Sequence, residues 1–341
     1  MRIRRPFDAH LHLRDGGMLR AVLPSTASHC AGALVMPNLV PPVTTRASAQ
    51  AYRARILEAL PPGASFEPQL TAYLTDGIDP DEVVAGFEAG DWLAAKLYPA
   101  HATTNSAHGV TDVRRIDPVL AAMAEAGMTL CVHGEVTRPD VDIFDREAAF
   151  LDEILAPMLQ RHPTLRVVVE HATTKAAADF VLQGEERVAM SITAHHLWWN
   201  RNALFQGGLR PHAYCLPVLK RERDREALVA AATSGHPRVF FGSDSAPHLV
   251  HRKETDCGCA GVFSAPTAVP AVAALFAAHG ALDRLEGFLS LHGPAWYGLA
   301  PSDETLGLDA VPWSPDVQID TVEGPVRIFL GGDELAWRAA P

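Results

Sequence analysis

The sequence contains 341 residues, of which 48% are hydrophobic and 20% are charged, and its formal net charge is -11. A chain of this length and apolar content can bury a large core, in one barrel-sized domain or in two smaller ones. The negative charge argues against general affinity for nucleic acid or anionic membranes, although it is compatible with a local cationic pocket for a small anion.

The five cysteines indicate a reducing compartment. They are odd in number and scattered, at positions 30, 131, 215, 257 and 259, which is not the pattern of a disulfide framework. No apolar segment follows the arginines near the N-terminus, as a signal peptide would require. The longest apolar stretch is too short and too interrupted to span a bilayer. We therefore expect a soluble, cytoplasmic protein.

Eight short apolar or alternating runs are separated by segments of helical composition. In chain order the runs are "RIRRPFDAHLHL", "GALVMPNL", "FEPQLTAYL", "WLAAKLYP", "MTLCVHGE", "LRVVVEHA", "VAMSITAHHL" and "RVFFGSDSA". Repeated strand–helix units predict a parallel sheet of the α/β class, and eight of them are the number that closes a (β/α)8 TIM-like barrel. An open doubly wound sheet is the alternative, but no run is followed by a G-x-G-x-x-G or G-x-x-x-x-G-K-[ST] phosphate loop.

The chain is interpreted as a single domain over residues 1–341. The barrel covers about residues 1–265, and a short helical or irregular C-terminal extension covers about 266–341.

In such a barrel the catalytic groups lie at the carboxyl ends of the strands. Six of the runs end in groups that bind metals or donate hydrogen bonds: His10 and His12 on the first, Asn38 on the second, Lys96 on the fourth, His133 on the fifth, His171 on the sixth and Asp244 on the eighth.

These strand ends predict a metal centre. His10 and His12 alternate along a strand, so they project to one face together with Asp8, and two neutral imidazoles suit a zinc-like ion. The H-x-H pair alone is a weak signal. Further ligand types on the ends of other strands make a metal site the favoured interpretation.

Lys96 and Asp244 each have an ordinary and a functional interpretation. Lys96 lies among apolar residues, where a free ammonium beside divalent cations would be costly to bury. Either it reaches solvent, or its amine has taken up carbon dioxide and the carbamate bridges two metals. Asp244 is either a turn N-cap or the group that takes a proton from a hydroxide shared by the metals and delivers it to a leaving nitrogen.

The combined motifs resemble the amidohydrolase superfamily. Within it, "DAHLHLRDG", "VMPNLVPPVTT", "AAKLYPA", "VHGEV", "EHATTK", "RPHAYCLPVLK" and "GSDSAPH" with "CGCAG" resemble the dihydroorotases of the short, stand-alone bacterial class. The resemblance implies reversible, zinc-dependent cyclisation of N-carbamoyl-L-aspartate to L-dihydroorotate plus water in pyrimidine (UMP) biosynthesis. In that reaction a metal-bridging hydroxide attacks the ring amide carbonyl. It also implies a homodimer that binds a small-molecule substrate and neither nucleic acid nor membrane.

The resemblance also assigns roles residue by residue. It implies two zinc ions per subunit, bridged by carboxylated Lys96 and a hydroxide, one held by His10, His12, Lys96 and Asp244, and the other by Lys96, His133 and His171. The substrate would contact His12 and His133 as well. Its carboxylate would be held by Arg14, Asn38 and His248, and its ring by backbone groups of Leu216 and Ala260. The segment "HATTNSAHG" (101–109) would be a mobile lid closing through Thr103 and Thr104.

Three other functions remain open from the sequence. A hydantoinase-like enzyme for another cyclic amide would give Arg14, Asn38 and His248 no carboxylate to bind. A phosphotriester hydrolase or lactonase can share such a metal barrel and would not need that group either. A catalytically inactive scaffold would usually have lost metal ligands, whereas all six positions are filled here.

Finally, His195 in "TAHHLWWN" departs from the family pattern, and we interpret both His195 and His196 as structural, with Cys215 packing behind Leu216.

Overall fold

The computed structural model describes residues 1–340 and contains a parallel sheet whose eight strands pair in chain order. A bridge between Leu11 and Ser245 joins its two edges. The backbone NH of Asp244 donates to the His10 carbonyl at 2.9 Å, and that of His12 donates to the Ser245 carbonyl at 3.1 Å. The predicted (β/α)8 barrel is therefore confirmed. Its strands are β1 (Phe7–Leu11), β2 (Gly32–Val35), β3 (Glu67–Tyr73), β4 (Ala94–Leu97), β5 (Thr129–Val132), β6 (Arg166–Val169), β7 (Val188–Ile192) and β8 (Val239–Phe241).

Helical segments surround the sheet and fill the connections between strands. Those before β5 begin with side-chain or proline caps, such as the Thr45–Ser48 capping box. The α-helices are Gly16–His29, Arg46–Glu58, Pro80–Glu88, Asp117–Ala126, Arg146–Phe150, Ala156–Arg161, Lys175–Gln183, Ala194–Trp198, Glu222–Ala232, Val250–Lys253, Ala268–Ala278 and His292–Tyr297. Shorter 3-10 turns are Val113–Ile116, Arg201–Leu204, Pro211–Ala213 and Leu282–Arg284, and π-helical turns are Leu151–Leu155 and Gly287–Leu291.

The interior of the barrel is packed below its carboxyl end. Apolar side chains from seven strands form one buried cluster, closed by Trp296 and Tyr297 of the C-terminal helix. The outer faces of the strands pack instead on the surrounding helices, which explains why the strands read as nearly continuous apolar runs. The polar side chains that line the cavity lie at the open end of the barrel, where the strands give way to loops.

The first strand differs in two ways from simple alternation. The run "RIRRPFDAHLHL" is split at Pro6, and Arg2–Arg4 forms a separate strand outside the barrel. Within β1 the pairing register with β2 shifts between Asp8 and Leu11, as in a β-bulge. Phe7 and Ala9 face the packed interior of the barrel. Simple alternation was expected to put Asp8 and His10 on the same face of β1, and the shift in register breaks that alternation. The Asp8 carboxylate instead accepts hydrogen bonds from the backbone NH groups of Ser243 and His10.

The C-terminal extension contains strands as well as helices. Thr305–Asp309 pairs with Arg2–Arg4 on one side and with Arg338–Ala340 on the other, and Gln318–Thr321 forms a hairpin with Gly324–Arg327. The Thr267 hydroxyl donates to the Phe329 carbonyl at 2.7 Å, which fastens the extension to the loops above the barrel. Among residues 1–340, no helix has the length and apolarity needed to cross a bilayer.

Candidate active site

A small cavity lies where the carboxyl ends of the barrel strands meet. This is the end at which barrel enzymes carry their chemistry. Most of the residues singled out from the sequence line it, while Lys96 is buried in its wall and His248 borders a larger adjoining cavity. The lining residues are His10, His12, Arg14, Asn38, Tyr98, Thr103, Thr104, His133, His171, Leu216, Asp244, Ala246, Ala260 and Gly261.

Three of these side chains converge on one point. His10, His12 and Asp244 each offer a ligand atom, and the three atoms lie within 4.8 Å of one another. Burial lowers the pKa of His12 to about 4, so its ring is neutral at pH 7. Burial alone would raise the pKa of Asp244, but the His12 side chain, whose Nε2 lies 3.0 Å from Asp244 Oδ1, and the other nearby imidazoles hold the pKa of Asp244 well below its usual range. Imidazole nitrogens facing a carboxylate form a donor set that suits a divalent cation.

Buried hydrogen-bond acceptors fix the orientation of three imidazoles. His10 donates from Nδ1 to Glu170 Oε2 at 2.8 Å, and His133 donates from Nε2 to Glu135 Oε2 at 3.0 Å. His12 Nδ1 lies 2.8 Å from Asn38 Oδ1. Because a carboxylate or an amide oxygen only accepts, the other nitrogen of each ring keeps its lone pair for a ligand.

Sequence reasoning missed Glu170 and Glu135. The signal that could have found them is an acidic residue at the buried end of an apolar run, in "VVVEH" and "VHGE". Glu170 also accepts from the Ser191 hydroxyl, and Ser191 in turn accepts from the backbone NH of His171 at 2.8 Å. One small network therefore holds the His10 ring and the His171 backbone.

Three of the cavity residues have a strained backbone, and one of them is Arg14, with a φ of 59°. His171 and Asp244 have φ values of 40° and 43°, in the left-handed region that residues other than glycine seldom adopt. Such strain is typical of residues whose position matters for function. It turns both side chains toward the cavity, and the His171 ring centre lies 4.9 Å from those of both His10 and His133.

Lys96 is the most unusual residue of the site. Its side chain is fully buried, its Nζ has no hydrogen-bond partner among residues 1–340, and Nζ lies 5.2 Å from the ring centre of Tyr98. Burial lowers the pKa of Lys96, partly opposed by the negative charge of Glu170. The residue therefore does not reach solvent, and an unpartnered buried amine is costly unless another group completes the site.

Arg14 is the cationic group of the cavity. Its Nη2 donates to His248 Nε2 at 3.1 Å, and its Nε donates to the Pro247 carbonyl at 3.3 Å. Burial, reinforced by the charge of Arg14, lowers the pKa of His248 to about 2, so His248 is neutral. Arg14 therefore has no carboxylate partner among residues 1–340, which leaves its charge available for an anionic ligand.

The loop of residues 101–109 covers the cavity. The Thr104 hydroxyl donates to the Ala260 carbonyl at 3.3 Å, and the Thr104 carbonyl accepts from Asn38 Nδ2 at 3.1 Å. Asn105 Nδ2 donates to the Asn38 carbonyl at 3.0 Å. These bonds join the loop to both sides of the barrel mouth.

Comparison with known proteins agrees with this geometry. The Amidohydrolase family matches residues 7–300. A dihydroorotase of Alkalilimnicola ehrlichii is 56% identical over 98% of this chain and 97% of its own length. Among solved structures, the dihydroorotase of Campylobacter jejuni superposes with a TM-score of 0.91 at 34% identity, covering 100% of this chain and 97% of that one. The dihydroorotase of Saccharomyces cerevisiae in complex with 5-fluoroorotic acid superposes with a TM-score of 0.91 at 31% identity, covering 99% and 98%. The chain belongs to the amidohydrolase family and, within it, to the dihydroorotases.

Proposed function

We propose that this chain catalyses the reversible, metal-dependent cyclisation of N-carbamoyl-L-aspartate to L-dihydroorotate plus water, a step of pyrimidine biosynthesis. One observation carries the proposal. A single cavity holds both the possible metal ligands His10, His12 and Asp244 and the guanidinium of Arg14, which has no carboxylate partner within residues 1–340. The first can serve amide chemistry, and the second suits a carboxylate. The yeast relative binds 5-fluoroorotic acid, which is also a pyrimidine ring with a carboxylate.

The residues present fit a pair of zinc ions. One would be held by His10, His12, carboxylated Lys96 and Asp244, and the other by carboxylated Lys96, His133 and His171. The support is the unpartnered Nζ of Lys96, the unpartnered Nδ1 of His171 and the ring orientations described above. When bound, the two ions would lower the pKa of a water between them and polarise the ring carbonyl.

The side chains of this chain would then divide the remaining work. Arg14, with Asn38 and His248, would hold the substrate carboxylate, and backbone groups of Leu216 and Ala260 would hold the ring. Asp244 would accept the proton of the attacking oxygen and return it to the leaving ring nitrogen, so that the bond to carbon breaks without forming a free amide anion. Thr103 and Thr104 would close over bound substrate and keep bulk water away.

The guanidinium of Arg14 favours dihydroorotate over the other candidate substrates. Hydantoins, lactones and phosphotriesters without a carboxylate would leave Arg14 buried and unpaired, which weakens binding because its charge would lose water without gaining a partner. We therefore rank these substrates below dihydroorotate.

The deciding experiment is hydrolysis of L-dihydroorotate before chelation, after chelation and after zinc is returned. We expect activity to disappear on chelation and to recover with zinc, because the residues His10, His12 and Asp244 would activate water through a bound metal. Parallel assays with a hydantoin and a lactone provide the control. A zinc-loaded sample that turned over either of those but not dihydroorotate would overturn the proposed substrate.

Replacing Arg14 by methionine should raise the Michaelis constant for dihydroorotate by about 10- to 100-fold, since a charge-assisted hydrogen bond contributes about 1.5–3 kcal/mol. Methionine keeps most of the side-chain length and removes the charge together with the guanidinium N–H donors. Steady-state kinetics checks this, with Arg14→Lys as the matched variant that keeps the charge but loses the planar fork. An unaltered Michaelis constant in Arg14→Met would show that the carboxylate is held elsewhere.

We further propose that the protein works in the cytoplasm as a homodimer. All five cysteines are free, which suits a reducing compartment. Phe205 and Leu209 are 63% and 75% exposed on the surface beside Trp198 and Trp199, and exposed apolar patches of this kind often mark subunit contacts. The acidic surface disfavours nucleic acid and anionic membrane as partners.

A further inference from the structure

A second group of ligand-type side chains lies outside the active-site cavity. His195, His196 and Cys215 each offer one donor atom, and the three atoms lie within 4.8 Å of one another. All three residues are at most 2% exposed. His195 and His196 belong to the helix Ala194–Trp198 that follows β7, and Cys215 belongs to the loop that precedes Leu216. The cluster therefore joins two neighbouring segments of the barrel mouth.

Within the described part of the chain, residues 1–340, His195 has no hydrogen-bond partner on either ring nitrogen although it is fully buried. Its ring centre lies 4.5 Å from that of His196, and its other aromatic neighbour is Phe329, at 6.2 Å, which offers no polar atom. Buried imidazoles are normally hydrogen-bonded. Both ring nitrogens of His195 are therefore left open to a ligand within residues 1–340.

Hydrogen bonding alone accounts for the other two residues but not for His195. His196 Nδ1 lies 2.8 Å from Thr193 Oγ1, and its Nε2 lies 3.1 Å from the Pro217 carbonyl. Cys215 Sγ lies 3.3 Å from the same carbonyl and 3.7 Å from His196 Nε2. Because a carbonyl only accepts, the contact with Pro217 places the His196 proton on Nε2 when no metal is bound. A metal at Nε2 would require the other tautomer, in which Nδ1 donates to Thr193 Oγ1 and Nε2 turns its lone pair toward the thiol side.

We propose that His195, His196 and Cys215 form a structural site for a soft divalent metal ion, zinc above all. Two imidazoles and a thiolate are typical zinc ligands, and the Pro217 carbonyl or a water would complete a tetrahedron. On binding, the Cys215 thiol loses its proton to solvent and its sulfur becomes the anionic ligand. This differs from the interpretation of His195 and His196 as purely structural residues, and it does not depend on the metal pair proposed for the active site.

The site would act on the substrate cavity through the chain. Cys215 immediately precedes Leu216, which lines that cavity, and Pro217 follows it. A metal bridging Cys215 to the helix after β7 would hold the backbone of Leu216 in place. Cys215 and the two histidines are thus positioning residues for the ring-binding side of the cavity.

Cobalt substitution tests the proposal, because the active-site donors contain no sulfur. The intact protein is freed of metal, reconstituted with cobalt(II) and examined by absorption spectroscopy for the thiolate-to-cobalt charge-transfer band in the near ultraviolet. We expect this band in the wild-type protein, its loss in Cys215→Ser and its weakening in His195→Gln. Zinc analysis should show one ion more per chain in the wild type than in Cys215→Ser.

The matched control removes the two other cysteines near the cavity mouth. Cys257 is exposed and Cys259 is partly exposed, so a Cys257→Ser, Cys259→Ser double variant should keep the band. Absence of the band from cobalt-loaded wild type, or its loss in the double variant, would overturn the proposal. If Cys215→Ser does not fold, the wild type, His195→Gln and the double variant still decide the question.

Discussion

Replacing Lys96 by alanine should remove nearly all turnover of dihydroorotate, a loss on the order of 10³-fold or more. The amine is fully buried and unpartnered, so it is available to add to the carbon of carbon dioxide and, after losing a proton, to become an anionic ligand. Without that ligand the site loses the bridge between its two proposed metals. Metal activation is worth several kcal/mol, and each ~1.4 kcal/mol is a factor of ten in rate.

Metal content and labelling distinguish loss of the bridge from simple unfolding. We expect Lys96→Ala to keep its circular dichroism spectrum but to bind less zinc than the wild type. Isotope-labelled bicarbonate should give a carbamate carbon signal in the wild-type protein that is missing from the variant. Lys96→Arg is the matched variant, because it keeps a long cationic side chain that does not form this carbamate. Full activity and metal content in either variant would refute the bridging role.

The sequence predicted the barrel because the signal is repeated. Eight apolar runs, separated by segments of helical composition, leave few ways to arrange the chain. An error in the bounds of one strand or helix does not change the number of predicted strands. The sequence also predicted that polar residues at the strand ends would lie together, because the strands of such a barrel all run in the same direction. His10, His133 and Asp244 lie far apart in sequence, and this common direction brings them to one cavity.

The details that were not predicted depend on contacts between distant segments. The bulge in β1 is a shift of register against β2, and the sequence of β1 alone does not specify it. Glu170 and Glu135 become recognisable as partners of His10 and His133 only when the rings are placed. The isolation of His195 is likewise a property of its neighbours and not of the motif "TAHHL".

Replacing Asp244 by asparagine should lower kcat by about 10²–10⁴-fold, the usual contribution of a positioned acid–base group. The amide cannot take up the proton of the attacking oxygen, so the ring nitrogen would have to leave without protonation. The Michaelis constant should change little, because Arg14 and its neighbours remain in place.

Asparagine is the informative choice at this position for a backbone reason. Asp244 has a φ of 43°, and asparagine tolerates the left-handed region better than alanine or glutamate would. It also keeps an oxygen that can contact His12, which lies 3.0 Å from Asp244 Oδ1. Zinc analysis and a thermal melt of Asp244→Asn serve as controls for retained structure. If the variant kept its metal and fold and still turned over normally, another group would have to carry the proton, and the neutral His248 near Arg14 would be the next to examine.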